Sequence, residues 1–111
     1  KRIKVGVPIS KGSGLTAKIA STLKTTTAYE FVEIKGTRIA KKYKKTFKPK
    51  DKKIENLIEF LKSEKVNIII DNNLNSLVYY NLRRHNHIQV YPNFSNTKTV
   101  DDAIKLLMID I

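Results

Sequence analysis

Three consecutive isoleucines, Ile68-Ile69-Ile70, run straight into Asp71-Asn72-Asn73-Leu74-Asn75-Ser76. β-Branched residues without polar alternation describe a strand buried on both faces, a parallel strand with helices above and below. The asparagines that follow tolerate backbone angles closed to most residues, and a helical pattern begins at once. In open sheets of this kind ligands bind outside the carboxyl ends of the strands. This junction is therefore the first place to look for function.

The remaining segments supply the rest of such a sheet. Ile3, Val5 and Val7 alternate with Lys4 and Gly6 in a first strand that Pro8 closes. Ser10 to Gly14 reads as a loop rich in amide donors. Leu15, Ile19 and Leu23 have the spacing of a short helix, whereas the threonines at 25, 26 and 27 favour extended chain. Ala28 to Ile34 reads as a second strand, Lys35-Gly36 as a tight turn and Thr37 to Lys45 as a third strand. Asp51 is placed to cap a helix with Ile54, Leu57, Ile58 and Leu61 on one stripe. The strand Val66 to Ile70 comes next, then a second helix from about Leu74 to Arg84, with Asn86 as its left-handed terminator. Ile88, Val90 and Tyr91 form a last strand before Pro92. Thr99-Val100-Asp101-Asp102 is a variant capping box that opens a third helix burying Ala103, Ile104 and Leu107. The expected fold is α/β: one domain over residues 1–111 with a five-stranded mixed sheet. Its strand order is 3-2-1-4-5, strand 2 is antiparallel to the rest, and helices cover both faces in a ribonuclease H-like motif.

Composition narrows the chemistry. The 111 residues include no cysteine, so no disulfide, thiolate nucleophile or Cys-ligated cluster is available. No apolar run approaches the ~20 residues of a membrane span, and no signal-peptide pattern opens the chain. The chain therefore reads as a soluble cytoplasmic protein without a membrane partner. Its formal net charge of +12 points to an anionic partner. Four arginines against eighteen lysines, however, is a poor ratio for forked phosphate or base contacts.

Between Lys35 and Lys53 lie ten basic residues and one acid, Asp51. Lys41, Lys42, Lys44, Lys45 and Lys48, interleaved with Tyr43 and Phe47, are the candidates for a nucleic-acid interface with aromatic stacking platforms. The competing and favoured reading is an edge strand whose lysines block edge-to-edge pairing while Tyr43 packs inward.

Catalysis finds no support. A two-metal nuclease needs converging carboxylates, yet the first strand carries none and Asp71 stands alone at its strand end. His85 and His87 lie beside Arg83 and Arg84 without a third ligand, a pattern closer to helix-end histidines than to a metal site. No Gly-rich P-loop or nucleophile elbow occurs. The expectation is a protein that is not an enzyme.

Several stretches together resemble the dinitrogenase iron–molybdenum cofactor biosynthesis family. They are Ile3-Lys4-Val5-Gly6-Val7-Pro8, the junction Ile70-Asp71-Asn72-Asn73-Leu74-Asn75-Ser76-Leu77-Val78, and Leu82 through Tyr91 followed by Thr99-Val100-Asp101-Asp102-Ala103-Ile104. The junction lies on the family's I-T-G-x-I-G-x-x-A with Asn at both glycines. Thr22-Leu23-Lys24-Thr25 stands where the family often has H-F-G-R. The resemblance implies a nitrogen-fixation accessory domain that binds or carries iron–molybdenum cofactor or an iron–sulfur precursor, with cofactor-assembly proteins as partners. Ser10, Lys11, Ser13, Thr22, Lys24, Thr25, Asn72, Asn73, Asn75 and Ser76 would then line the cleft. Lys11 and Lys24 would balance the anion, and backbone amides would supply hydrogen bonds. The alternative is a basic nucleic-acid-binding module.

Overall fold

The computed structural model describes residues 2–20, 28–47, 54–71, 88–92 and 98–110. Within them the chain forms β1 (Arg2–Lys11), a 3₁₀ turn (Gly14–Thr16), β2 (Lys18–Ile19), β3 (Ala28–Lys35) and β4 (Arg38–Thr46). Helix α1 (Ile54–Ser63), β5 (Ile68–Asp71), β6 (Gln89–Pro92) and helix α2 (Val100–Asp110) follow. The strands make one open mixed sheet with the path β4-β3-β1-β5-β6, and β2 pairs with β1 off that path. β3 runs antiparallel to β1 and β4, whereas β5 lies parallel to β1 and β6 parallel to β5.

The isoleucine run lies mid-sheet. β5 is hydrogen-bonded to β1 on one side and β6 on the other, and Ile68, Ile69 and Ile70 are 6%, 0% and 1% exposed. Ile68 and Ile70 point into a core with Val5, Val7, Val32 and the α2 residues Ile104 and Leu107. Ile69 points the other way, among Phe31, Tyr29 and the α1 residues Leu57, Ile58 and Leu61. Each face of the sheet is thus covered by one described helix, as an unbroken apolar strand requires. Asn67 ties the amino ends together. Its side-chain Oδ1 accepts the Lys4 N–H at 2.8 Å, its own N–H donates to Lys4 O at 2.9 Å, and its carbonyl accepts the Gln89 N–H at 3.0 Å.

Gly6 permits the crossing beneath β1. A Cβ there would lie 2.8 Å from Ile69 Cδ1 and 3.2 Å from Phe31 Cε1, so the two large side chains close over the glycine. Helix α1 ends in a Schellman motif, with Val66 N–H donating to Leu61 O and Lys65 N–H to Lys62 O. The residue in the left-handed position is Lys65, at φ 58. At the start of α2 the Asp102 N–H donates to Thr99 Oγ1 at 3.3 Å, the backbone half of the anticipated capping box.

Three expectations need correction. The sheet has six strands rather than five, because Lys18 and Ile19 form β2 where helical spacing was read. Tertiary hydrogen bonds decide this: Ile19 N–H donates to Lys98 O and Ala20 N–H to Pro8 O, each at 2.9 Å. Inserting β2 changes both the strand count and the expected 3-2-1-4-5 numbering. Second, β1 does not stop at Pro8 but continues to Lys11, so Ser10 and Lys11 are strand residues rather than loop. Pro8 is tolerated because its carbonyl, and with it its missing N–H, faces away from β3 beyond the last β5 pairing at Gly6; the carbonyl accepts the Ala20 N–H there, and no ladder bond to β3 is lost. Third, the hairpin turn is Gly36-Thr37, one residue later than expected, with Gly36 at φ +66 and Lys35 paired to Arg38.

The expected Asp51 cap, the helix Leu74 to Arg84 with its Asn86 terminator, and His85 and His87 lie outside the described residues. No helix among the described residues is long and apolar enough to cross a membrane.

Candidate functional site

The carboxyl ends of β1, β5 and β6 share one rim of the sheet, since all three strands run the same way. From β1 the chain first lays β2 against the end of β1 on the β5 side, then crosses to β3 and β4 on the other side, and it returns through α1 to β5. The divergence of connections between β1 and β5 is the switch point at which open α/β sheets form a crevice. The register of Gly6 with Ile69 brings the end of β5, at Asp71, alongside the last third of β1.

The turn leaving β1 is built on two glycines in the left-handed region, Gly12 at φ +86 and Gly14 at φ +69. At Gly12 a Cβ would also approach Ala17 Cα to 3.3 Å. The turn is anchored from the sheet. Gly14 N–H donates to Glu30 Oε1 at 2.9 Å, and Lys44 Nζ donates to Gly12 O at 3.1 Å. Glu30 comes from the middle of β3 and is only 1% exposed. A buried carboxylate is tolerable only when hydrogen-bonded. No buried side-chain nitrogen or oxygen among the described residues lacks a partner. Beyond the turn, β2 holds the start of α2: Val100 N–H donates to Ala17 O, and Lys18 bridges Thr99.

Of the residues expected to line the cleft, Ser10, Lys11 and Ser13 are described, and all three are exposed, Ser10 and Lys11 at the end of β1 and Ser13 in the turn that follows. Ser10 Oγ donates to Lys18 O at 3.5 Å, and Lys11 lies opposite Lys18 in the β1–β2 register. Like charges facing each other across a ladder repel, so this end of β1 favours an anion. Thr22, Lys24, Thr25, Asn72, Asn73, Asn75 and Ser76 lie outside the described residues. Glu30, which sets the shape of the turn, escaped the sequence reading, and Lys44, read there as a nucleic-acid contact, instead ties the turn through Gly12 O. The available signal was a carboxylate between Tyr29 and Phe31 in an otherwise apolar strand.

A second polar group gathers at the other end of β1. Tyr43 OH donates to Glu64 Oε1 at 2.8 Å, Lys45 Nζ to Glu64 Oε2 at 2.6 Å, and Lys4 Nζ to both Tyr43 OH and Glu64 O. Burial, reinforced by the Glu64 carboxylate, pushes the Tyr43 phenol up to about 12. For Glu64, burial opposes ionisation, but the hydrogen bonds from Lys45 and Tyr43 outweigh it and hold the carboxyl below its usual value. Glu64 in turn raises the Lys45 ammonium.

Among the residues considered for a nucleic-acid interface, Lys41, Lys42, Lys44 and Lys45 are exposed along β4. The two aromatic residues are not displayed with them. The Tyr43 ring packs 5.3 Å from Phe31, and Phe47 stacks 4.7 Å from Phe60, both against the α1-side core. Lys48 lies outside the described residues. No three of His, Cys, Asp or Glu gather as a metal site among the described residues.

No family model matches the chain, and no curated protein matches its sequence. Solved structures do. PH0822 superposes with a TM-score of 0.81 at 15% identity, covering 97% of this chain and 92% of its own. The apo form of the orange protein from Desulfovibrio gigas gives 0.73 at 12% identity, with 96% and 88% covered. A candidate dinitrogenase, MJ0327 of Methanocaldococcus jannaschii, gives 0.65 at 17% identity, with 99% and 91% covered. At such identities the likeness is one of fold, and it extends over nearly the whole length of each chain.

Proposed function

We propose that the chain is a non-enzymatic binding or carrier domain that receives an anionic ligand at the carboxyl ends of β1 and β5. The observation that carries this reading is the central position of β5, flanked by β1 and β6 with both faces buried. In open sheets of this kind a ligand crevice forms at such a switch point, which supports the reading. The turn after β1 presents glycine backbone and the exposed Ser10, Lys11 and Ser13 there, all suited to an anion.

The ligand class we favour is an anionic metal cofactor or its precursor, such as iron–molybdenum cofactor or an iron–sulfur cluster. The resemblance of the sequence to the cofactor-biosynthesis family and the fold shared with a candidate dinitrogenase and the orange protein support it. The donor set defines how such a group would be held. The described rim offers hydroxyls, an ammonium and backbone amides, which hydrogen-bond the outer anionic atoms of a cluster; soft metal sites use thiolate or imidazole. Ser10, Lys11 and Ser13 would hold it from β1, and Thr22, Lys24, Thr25, Asn72, Asn73, Asn75 and Ser76 complete the proposed lining. Cofactor-assembly proteins would be its partners.

Anaerobic titration with isolated iron–molybdenum cofactor tests the reading. Stoichiometric uptake that weakens when Asn72, Asn73 and Asn75 are replaced by alanine supports it. Absence of uptake, or uptake indifferent to those replacements, rejects it.

A further inference from the structure

We infer that the outer edge of β4 is a docking site for an extended acidic segment of a partner protein, which adds to the sheet as one more strand. β4 is nine residues long and ends the sheet path, and among the described residues no strand pairs with its outer side. An edge strand presents a row of unpaired N–H and C=O groups, the template that strand-adding partners use. Glu33 pairs with Lys41 but Ile34 with Ile39, so Ala40 is the extra residue of a bulge. Beyond it, Lys41 to Thr46 pairs without interruption to Ala28 through Glu33. That regular stretch offers about 20 Å of edge, enough for an average strand.

Charge selects the occupant. Between Arg38 and Thr46 there are five basic residues and no acid. The register places Lys42 and Lys44 opposite Val32 and Glu30, toward one face of the sheet, and Lys41 and Lys45 opposite Glu33 and Tyr29, toward the other. Ammonium groups therefore flank the edge on both sides. A strand laid along it, with carboxylates on both faces, would meet a lysine at four of the six positions from Lys41 to Thr46, with Lys44 and Lys45 sharing their ammonium groups with Gly12 O and Glu64, and opposite charges at such positions stabilise.

The same arrangement excludes the other candidates. A second copy of this chain would set lysine against lysine along the edge, which opposes self-pairing. A single-stranded nucleic acid wants cations converging on one groove and free aromatic faces for its bases. Here the lysines diverge to two faces, and Tyr43 and Phe47 are packed against Phe31 and Phe60.

The test follows backbone amide exchange by NMR while the full chain is titrated with a short synthetic peptide in which pairs of adjacent glutamates, one on each strand face, are separated by threonine and valine. The same peptide N-methylated at successive residues, so that neither backbone edge can donate, a lysine-for-glutamate version and an oligothymidylate are run in parallel. The inference expects new protection of amides within Lys41 to Thr46 by the acidic peptide and none by the lysine version. It also expects affinity about tenfold weaker for the N-methylated peptide, the loss that follows when two backbone hydrogen bonds cannot form. Equal affinity for the N-methylated peptide would mean attraction by charge alone and would overturn it. So would a lack of new protection in β4, or stronger protection of the same amides by oligothymidylate.

Discussion

Glu30, buried in the middle of β3, accepts a hydrogen bond from the Gly14 backbone N–H at 2.9 Å and so fixes the turn that leaves β1 to the neighbouring strand. A carboxylate in that position is costly unless the turn is in place, so the strand and the turn stabilise each other. Glu30→Ala is expected to lower stability by about 1–3 kcal/mol, the loss of a part-buried hydrogen bond to a carboxylate. Urea denaturation measures the loss. Hydrogen exchange distinguishes the cause: the Gly14 amide loses protection in Glu30→Ala and keeps it in Glu30→Gln, which retains an acceptor oxygen. Protection unchanged in Glu30→Ala would show that the turn holds its shape without the carboxylate.

The Tyr43–Glu64–Lys45 group gives stability a pH dependence at both ends of the scale. The Glu64 carboxyl titrates below its ordinary 4.5 in the folded chain. Between the folded and unfolded values the unfolded chain binds more protons, so this contribution is present above 4.5 and is lost as pH falls through the folded value. Tyr43 has the opposite sign. Its phenol is raised from 10.0 to about 12, so its contribution is full below 10.0 and disappears as pH rises through about 12. Relative to the unaltered chain, Glu64→Gln is expected to flatten the acid limb of a stability–pH curve and Tyr43→Phe the alkaline limb. Parallel curves for either variant would mean that the group is not coupled to folding.

Lys65 occupies a left-handed position that glycine adopts without steric cost. Lys65→Gly should stabilise the chain by about 1 kcal/mol, because the clash of Cβ with the following carbonyl is relieved. Some of that gain is offset by the greater freedom of glycine when unfolded. Calorimetry should register a rise in Tm of a few degrees, and a fall would show that the Lys65 side chain contributes more than its backbone strain removes.

Gly6 and Ile69 are coupled by contact. Gly6→Ala forces a Cβ to within 2.8 Å of Ile69 Cδ1 and should cost about 1–3 kcal/mol through overpacking. Ile69→Val alone should cost about 0.5–1.5 kcal/mol, since it deletes a buried methyl. Together the two changes should cost less than the sum of the single effects, because valine lacks the colliding atom. A double-mutant cycle by urea denaturation measures the coupling, and strict additivity would place the strain at Phe31 instead.

Much of the architecture was legible because it is written in local periodicity. The unbroken Ile68–Ile70 run sits between two strands with both faces buried, and Ile3, Val5, Val7 alternates as one strand face should. Leu57, Ile58 and Leu61 line one side of α1, and Thr99 caps α2 as its neighbours in sequence predict. Each of these is decided by residues a few positions apart, so the chain announces it without any knowledge of the fold. For the candidate site, strand type and connection order at the ends of β1 and β5 were legible, because they follow from local apolar pattern and element order.

What only the tertiary structure decided are the features whose determinants are distant in sequence. Ile19 has helical spacing, yet it joins a strand because Lys98 supplies an acceptor for its N–H. Pro8 looks like a strand end, yet the chain passes through it because its missing N–H lies on the side away from β3, past the last β5 pairing, where its carbonyl accepts the Ala20 N–H. Glu30 and Gly14 meet across sixteen positions, and Tyr43 and Glu64 across twenty-one. A hydrogen bond between remote residues leaves no periodic trace, because its partner is chosen by how the layers stack and not by the neighbouring side chains. The sequence by itself therefore determined the long strands and helices and the faces they bury, while the packing of the sheet decided β2, the extent of β1 and which polar groups would meet, and so how the rim is shaped.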